Sequence, residues 1–368
     1  MSEHRHMFLD GARAFSAERY LEDCRRLALA EIRRFVPKDT RRSGGLYEVM
    51  LDYPLRPAKA LRPALCIATC LALGGHVDAV LPSAAAFELF HNAFLVHDDV
   101  EDGSLMRRHG ETLHRLYGVP IAVNVGDGML ALSLSPLLDN VRVLGLGPAL
   151  QILQLFARMA RESAEGQMLE LTWTRARRWN ISDREYLCMV HKKTGWYSFV
   201  TPVLVGAIAS NASPALHPVL CRFALLLGIA FQIQDDLLSL EAGEDAVGKD
   251  GLGDLWEGKY TLALIHALRT ASPDERGEAL AILAKPRPVA GAASRVNAYE
   301  EKTEAEVLHL AGLVRGRRGA SLAHARNIAR RHVDRAARML QRELGGMSES
   351  IHKQFLSHLV SFVLERGR

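Results

Sequence analysis

The chain has 368 residues, 48% of them hydrophobic, and carries 46 lysines and arginines against 42 aspartates and glutamates, a formal net charge of +4. That length allows one large domain or two ordinary ones with a sizeable core, and so small a net charge leaves no electrostatic footprint for nucleic acid. No apolar run reaches transmembrane length, since the strongest, over residues 120–138, is interrupted by Asn124 and Asp127.

Residues 18–35 carry apolar side chains at helical spacing and stop before Pro37. Residues 41–51 are polar and glycine-bearing, and Pro54 and Pro57 punctuate the chain after them. Residues 61–73 form an apolar helix ended by Gly74-Gly75. The apolar run 87–96 leads into His97-Asp98-Asp99-Val100-Glu101-Asp102, then Gly103 and, shortly after, Arg107-Arg108. Further helices are predicted over 118–140, 150–171, 183–194 behind a Ser182 cap, 196–210, 219–240 and 254–270. Residues 271–298, with Pro273, Pro286, Pro288 and Gly291, are predicted as an irregular excursion. Three amphipathic helices are predicted from 303 onwards, broken at 316–319 and 345–346. No alternating strand pattern of useful length occurs. The expected fold is all-α, a single-domain multi-helix bundle over residues 1–368. Five scattered cysteines without metal-site spacing, and a start without the order of a signal peptide, point to reduced thiols in a cytoplasmic protein.

Two acid clusters carry the chemistry. Asp98 and Asp102 lie four apart and stack on one helical face. Bare carboxylates that close repel, and a divalent cation with its waters relieves the repulsion. The paired arginines behind them match phosphate oxygens. A solvated acidic helix end is the bland alternative. A second pair, Asp235-Asp236, ends the apolar run 224–234. A bundle can bring two such helix ends to one cleft, which would hold several ions against a diphosphate with a greasy tail.

Taken together, the blocks Lys59-Ala60-Leu61-Arg62-Pro63, the first acid cluster with Arg107-Arg108, Gly166-Gln167, Lys193-Thr194, Phe231-Gln232-Ile233-Gln234-Asp235-Asp236, Gly248-Lys249 and Asp254-Leu255-Trp256-Glu257-Gly258-Lys259 resemble the trans-isoprenyl diphosphate synthases, or polyprenyl synthetases. The resemblance implies condensation of isopentenyl diphosphate with an allylic diphosphate, with three magnesium ions. Asp98 and Asp102 would hold metal from one side and Asp235 from the other, with Asp99 and Asp236 as ligands or supporting carboxylates. Arg107, Lys193, Gln232, Lys249 and Lys259 would hold the allylic diphosphate, and Thr194 would steady the cation or help accept the proton. Lys59, Arg62, His91 and Arg108 would hold isopentenyl diphosphate without metal. Taken singly, His91 reads as a core histidine, Lys59 and Arg62 as a snorkelling helix start, and Lys249 and Lys259 as surface charges. The resemblance also implies a homodimer, with no membrane span.

The chain departs from the family pattern at three places. Ser239 stands where many members have a third acid in the second cluster, Pro57-Ala58 replace paired glycines, and His109 separates Arg108 from Gly110. Ser239 opens a second reading, a class I terpene cyclase, which would not need Lys59, Arg62, His91 and Arg108. A non-catalytic partner subunit of a synthase is a third, against which both acid pairs are kept. Product length is set below the first cluster, where Phe94 and Ala93 stand four and five residues before Asp98, with Phe90 a turn further down. One aromatic where farnesyl synthases tend to have two points to geranylgeranyl diphosphate, with farnesyl diphosphate as the alternative.

Overall fold

Side-chain chemistry marks where the helices begin and end. Ser16 accepts the backbone N–H of Arg19 and starts Ala17–Phe35. Gly103, at φ +63, ends Val77–Asp102 in the left-handed conformation that glycine adopts without strain. The computed structural model describes residues 15–38, 43–241, 252–288, 301–316 and 319–365. Among these, secondary structure is helical apart from one hairpin, Met106–Arg107 paired with Gly110–Glu111.

The chain divides into two compact units interleaved in sequence. The first takes residues 1–163, 195–225 and 336–361, the second 164–194, 226–335 and 362–368.

In the first unit the helix Val77–Asp102 is the central member, buried along most of its length from Val77 to Val96. It packs on Val119–Leu144, Leu61–Ala72, Ala17–Phe35 and Thr201–Ala209. A helix apolar on every face must be wrapped by others, and each buried Phe87 or Leu89 contributes about 1.5–3 kcal/mol to holding it there. The C-terminal helix Ile351–Glu365 closes on the first helix, where Phe355 stacks on Tyr20 at 4.5 Å. Cys66 and Cys70 are core residues, as their shared helical face predicts.

The second unit is built on Asp183–Val190, Gly253–Glu257, Leu262–Thr270, Pro273–Leu283 and Glu304–Arg315. Leu264, Ile265, Ile282, Val307 and Leu310 form its interior. A π-helical stretch, His191–Val200, continues Asp183–Val190 without a break into Thr201–Ala209, where the sequence predicts a stop near Gly195.

Three other expectations change. Residues 46–55, expected partly as a polar loop, form the helix Leu46–Leu55. The region 271–298 is not irregular throughout: Ser272 and Glu275 form a capping box around Pro273, and Pro273–Leu283 is helical, while residues 289–300 lie outside the described residues. Three helices, Val77–Asp102, Val119–Leu144 and residues 214–241, are long and apolar enough to cross a membrane by length and composition, contrary to the expectation from the apolar runs alone. The first of them is largely buried within its unit.

Candidate active site

The first acid cluster does not present its carboxylates alike. Asp98 is half-buried and Asp102 exposed, one turn apart on the same face. Asp99 is 1% exposed and turned into the protein. The Tyr53 hydroxyl donates to its Oδ2 at 2.6 Å, and Arg107 donates from Nε at 3.0 Å to Oδ1 and also from Nη2. Burial alone would lower the pKa of Arg107, but the Asp99 bonds and charge outweigh it and hold the guanidinium above its ordinary value.

The hairpin after this helix places both arginines. Arg108 and His109 form its two-residue turn with φ of +50 and +66, a conformation that non-glycine residues adopt only at a cost. Arg56 holds the hairpin in place, donating to the carbonyls of Arg107 at 2.7 Å and Glu111 at 2.9 Å. Arg108 donates to the Tyr53 carbonyl, to Asn92 and, at 3.4 Å, to His91 Nε2. Burial, with Arg62, Arg108 and Arg107 nearby, pushes His91 well below its ordinary pKa, so it is neutral, and its Nδ1 is buried without a hydrogen-bond partner. Arg62 donates to Ser198 at 2.7 Å and lies 4.4 Å over the Tyr197 ring. Lys59 is exposed at the loop before it. This pocket therefore gathers arginines around a neutral histidine, a chemistry suited to an anion.

Below it, Phe90 and Phe94 stack at 4.5 Å, Phe156 meets Phe90 edge-on at 5.1 Å, and Tyr197 faces Phe94 at 5.9 Å. Ala93 points to another face, where it is buried with Met50, Tyr53, Val96 and Met129.

The second acid cluster repeats the first in outline. Asp235 is half-buried and Asp236 is 3% exposed. The Tyr186 hydroxyl donates to Asp236 Oδ2 at 2.6 Å and Gln232 Nε2 to Oδ1 at 2.8 Å, while Lys259 Nζ stands 3.4 Å from Oδ1. Thr194 donates to Gln232 Oε1 at 2.8 Å, which joins Thr194 to the acid pair. Lys193 donates to Glu170 at 2.7 Å. Burial and Asp254 push Asp236 up to about 6 against the pull of Lys259. Burial would lower Lys259, but Asp254, Asp236, Glu170 and Asp235 hold it charged. Asp254 lies 3.5 Å from Lys259, and its Oδ2 is buried without a partner. Ser239 accepts the Asp254 backbone N–H at 3.4 Å, so the residue that departs from the acid pattern supports the Gly253–Glu257 helix.

Among the described residues of this network carboxylates outnumber cations, and one buried oxygen of Asp254 is left over. Among the described residues no three metal-ligating side chains converge on one point. Magnesium, which keeps waters and takes one or two carboxylates besides phosphate oxygens, needs no such cage. Sequence reasoning missed Tyr53, Tyr186, Arg56, Glu170 and Asp254 as members of these networks. Lys249 lies outside the described residues.

The polyprenyl synthetase family profile matches residues 45–299. The geranylgeranyl pyrophosphate synthase of Geoglobus acetivorans is 31% identical over 333 residues, 88% of this chain and 91% of that protein. The structure of the Pyrococcus horikoshii geranylgeranyl pyrophosphate synthetase superposes with a TM-score of 0.79 at 27% identity, covering 95% of this chain and 99% of that one. That of a Caulobacter crescentus polyprenyl synthase, in complex with calcium and isoprenyl diphosphate, gives 0.77 at 26% identity, covering 97% and 99%.

Proposed function

Because the chain belongs to the polyprenyl synthetase family, the trans-prenyltransferases, we propose that it condenses isopentenyl diphosphate with allylic diphosphates up to geranylgeranyl diphosphate, with magnesium. The observation that carries this is the shared build of the two aspartate pairs: each keeps its inner member buried and bonded to a tyrosine hydroxyl, with a more exposed outer member, Asp98 or Asp235, beside it.

In this reading Asp98, Asp102 and Asp235 hold the ions, and Asp99 and Asp236 support them. Bound magnesium neutralises the leaving diphosphate. Lys193, Lys259 and Gln232, with Lys249, orient that diphosphate. Arg107, tied to Asp99, fixes the join between the metal side and the phosphate side. Arg62, Arg108 and Lys59 bind isopentenyl diphosphate, beside a neutral His91 that adds no charge but can donate. Thr194, bonded to Gln232, would steady the allylic cation or help accept the departing proton. The aromatic wall of Phe94, Phe90 and Tyr197 excludes water from the carbocation.

The helix Val119–Leu144 leaves Val119, Ile121, Val123, Leu134, Leu138 and Val141 exposed. An apolar ridge of this extent fits a second copy of the chain, so we read the protein as a homodimer. Sedimentation of the wild type against Leu138→Arg tests this, and an unchanged monomer in both would refute it.

The deciding experiment incubates the protein with magnesium, labelled isopentenyl diphosphate and, in turn, dimethylallyl, geranyl and farnesyl diphosphates. A twenty-carbon product supports the reading. A fifteen-carbon limit keeps the chemistry and overturns the chain length. A cyclic hydrocarbon from an allylic diphosphate alone, or no turnover, refutes it.

A further inference from the structure

Each aspartate pair has an inner carboxylate, and each inner carboxylate receives a tyrosine hydroxyl at 2.6 Å. Tyr53 and Tyr186 are both 0% exposed. Neither lies in an acid cluster, and neither is close in sequence to its aspartate. They are alike in another respect: Tyr53 stands six residues before Lys59, and Tyr186 seven before Lys193. Each hydroxyl therefore joins an acid helix to the segment that leads into a basic residue of the same unit.

The mechanical consequence comes from helix geometry. Successive side chains on a helix diverge by about 100°, so fixing the direction of Asp99 fixes that of Asp98 and, one turn on, Asp102. Fixing Asp236 does the same for Asp235. A hydroxyl bound to a carboxylate away from water makes a short, charge-assisted bond. Tyr53 is held further: its hydroxyl accepts the Leu113 N–H at 3.1 Å, and its carbonyl accepts Arg108 at 2.8 Å.

We propose that Tyr53 and Tyr186 are paired positioning residues, each pinning the inner aspartate of its cluster so that the outer carboxylates are aimed at the divalent ions. This rests on the prenyl-transfer reading for the identity of the ligands, and on the two hydrogen-bond networks for the geometry. Tyr53 serves the pocket of Arg108 and His91, and Tyr186 the network of Gln232 and Lys259.

The test uses the full chain with Tyr53→Phe and Tyr186→Phe, which keep the buried rings and remove one oxygen each. Manganese binding in the presence of inorganic diphosphate is read by the electron paramagnetic resonance of the free ion. Each variant is expected to weaken manganese binding about tenfold, as loss of a group that orients a metal ligand does. Tyr53→Phe should raise the KM for isopentenyl diphosphate more than that for the allylic substrate, and Tyr186→Phe the reverse. In Asp99→Asn and Asp236→Asn backgrounds the same changes should add little further. Wild-type ion affinity and KM values, or a lower melting temperature as the sole effect, would overturn the proposal; so would losses fully additive with the aspartate changes. If the wild type binds manganese and diphosphate but elongates nothing, the prenyl-transfer reading fails and the binding arm still decides on the two tyrosines.

Discussion

Replacing Gly166 by alanine should disable turnover from a position that touches no substrate in the proposed reading. A Cβ there would lie 2.2 Å from the Lys193 backbone nitrogen, 2.6 Å from its Cα and 2.8 Å from the Lys192 carbonyl carbon. All three are main-chain atoms, so no rotamer change relieves the clash. Ordinary contact begins near 3.4 Å, and the start of the His191–Val200 stretch must retreat by about 1 Å. Lys193 to Glu170, at 2.7 Å, and Thr194 to Gln232, at 2.8 Å, then pass out of hydrogen-bonding range. A misplacement of this size costs about 10²-fold in rate, and the overpacking about 1–3 kcal/mol of stability. Steady-state kinetics at saturating substrates and a thermal melt measure the two. Gly147→Ala, in the same helix Leu146–Arg175 with nothing within 4 Å of the added carbon, is the control and should change neither. Gly166→Ala with wild-type kcat would refute the reasoning.

Four other outcomes are expected from named contacts. Asp99→Ala leaves the half-buried Arg107 without its partner and should cost about 1–3 kcal/mol in denaturant unfolding, whereas exposed Asp102→Ala should leave stability within about 0.5 kcal/mol while removing the magnesium-dependent turnover. His352, which meets the Tyr20 hydroxyl at 2.8 Å, is pushed by burial from 6.5 to about 4; the unfolded chain then binds the extra proton, so stability is present above pH 6.5 and falls by about 3 kcal/mol as pH drops towards 4, a slope that His352→Asn should flatten in urea titrations. Lys302, buried and donating to the Trp256 carbonyl at 2.7 Å, is lowered by burial from 10.5 to about 8; unfolding takes up a proton between those values, so stability should rise from pH 8 to 10.5 and Lys302→Met should abolish the rise. Phe94→Ala opens the aromatic stack between Phe90 and Tyr197, and chromatography of the dephosphorylated products should show a shift of at least one isoprene unit upwards.

The aspartate pairs were legible because adjacent acids at the end of an apolar run stand out in any helical reading. Their asymmetry was not, since it depends on which tertiary neighbour each carboxylate meets. Tyr53 was hidden because its helix begins after Gly44-Gly45 and contains Pro54, features that in sequence mark a loop. The helix Pro273–Leu283 was hidden for the opposite reason: proline at the first helical position is favourable, but a count of prolines reads as disorder. The Arg108-His109 turn breaks the local rule outright, because a two-residue hairpin with both φ positive favours Asn-Gly. Its cost is met by Arg56, which grips both sides of the turn. Where local preference is overruled in this way, the overruled residue is one that the proposed mechanism needs.

In the proposed reading the two diphosphates are told apart by the side chains that meet them. In the first unit Arg62 and Arg108 stand beside His91, whose own charge is suppressed by burial and by the arginines, while Arg107 is paired with Asp99. Arginines so placed would hold the diphosphate of isopentenyl diphosphate without an intervening cation. In the second unit Asp236 is pushed up to about 6 by burial and Asp254 against the pull of Lys259. The outer carboxylates of either cluster repel a bare diphosphate, so they would meet the allylic diphosphate only through divalent ions. The substrate that must lose its diphosphate would thus be directed to the place where the departing charge is neutralised.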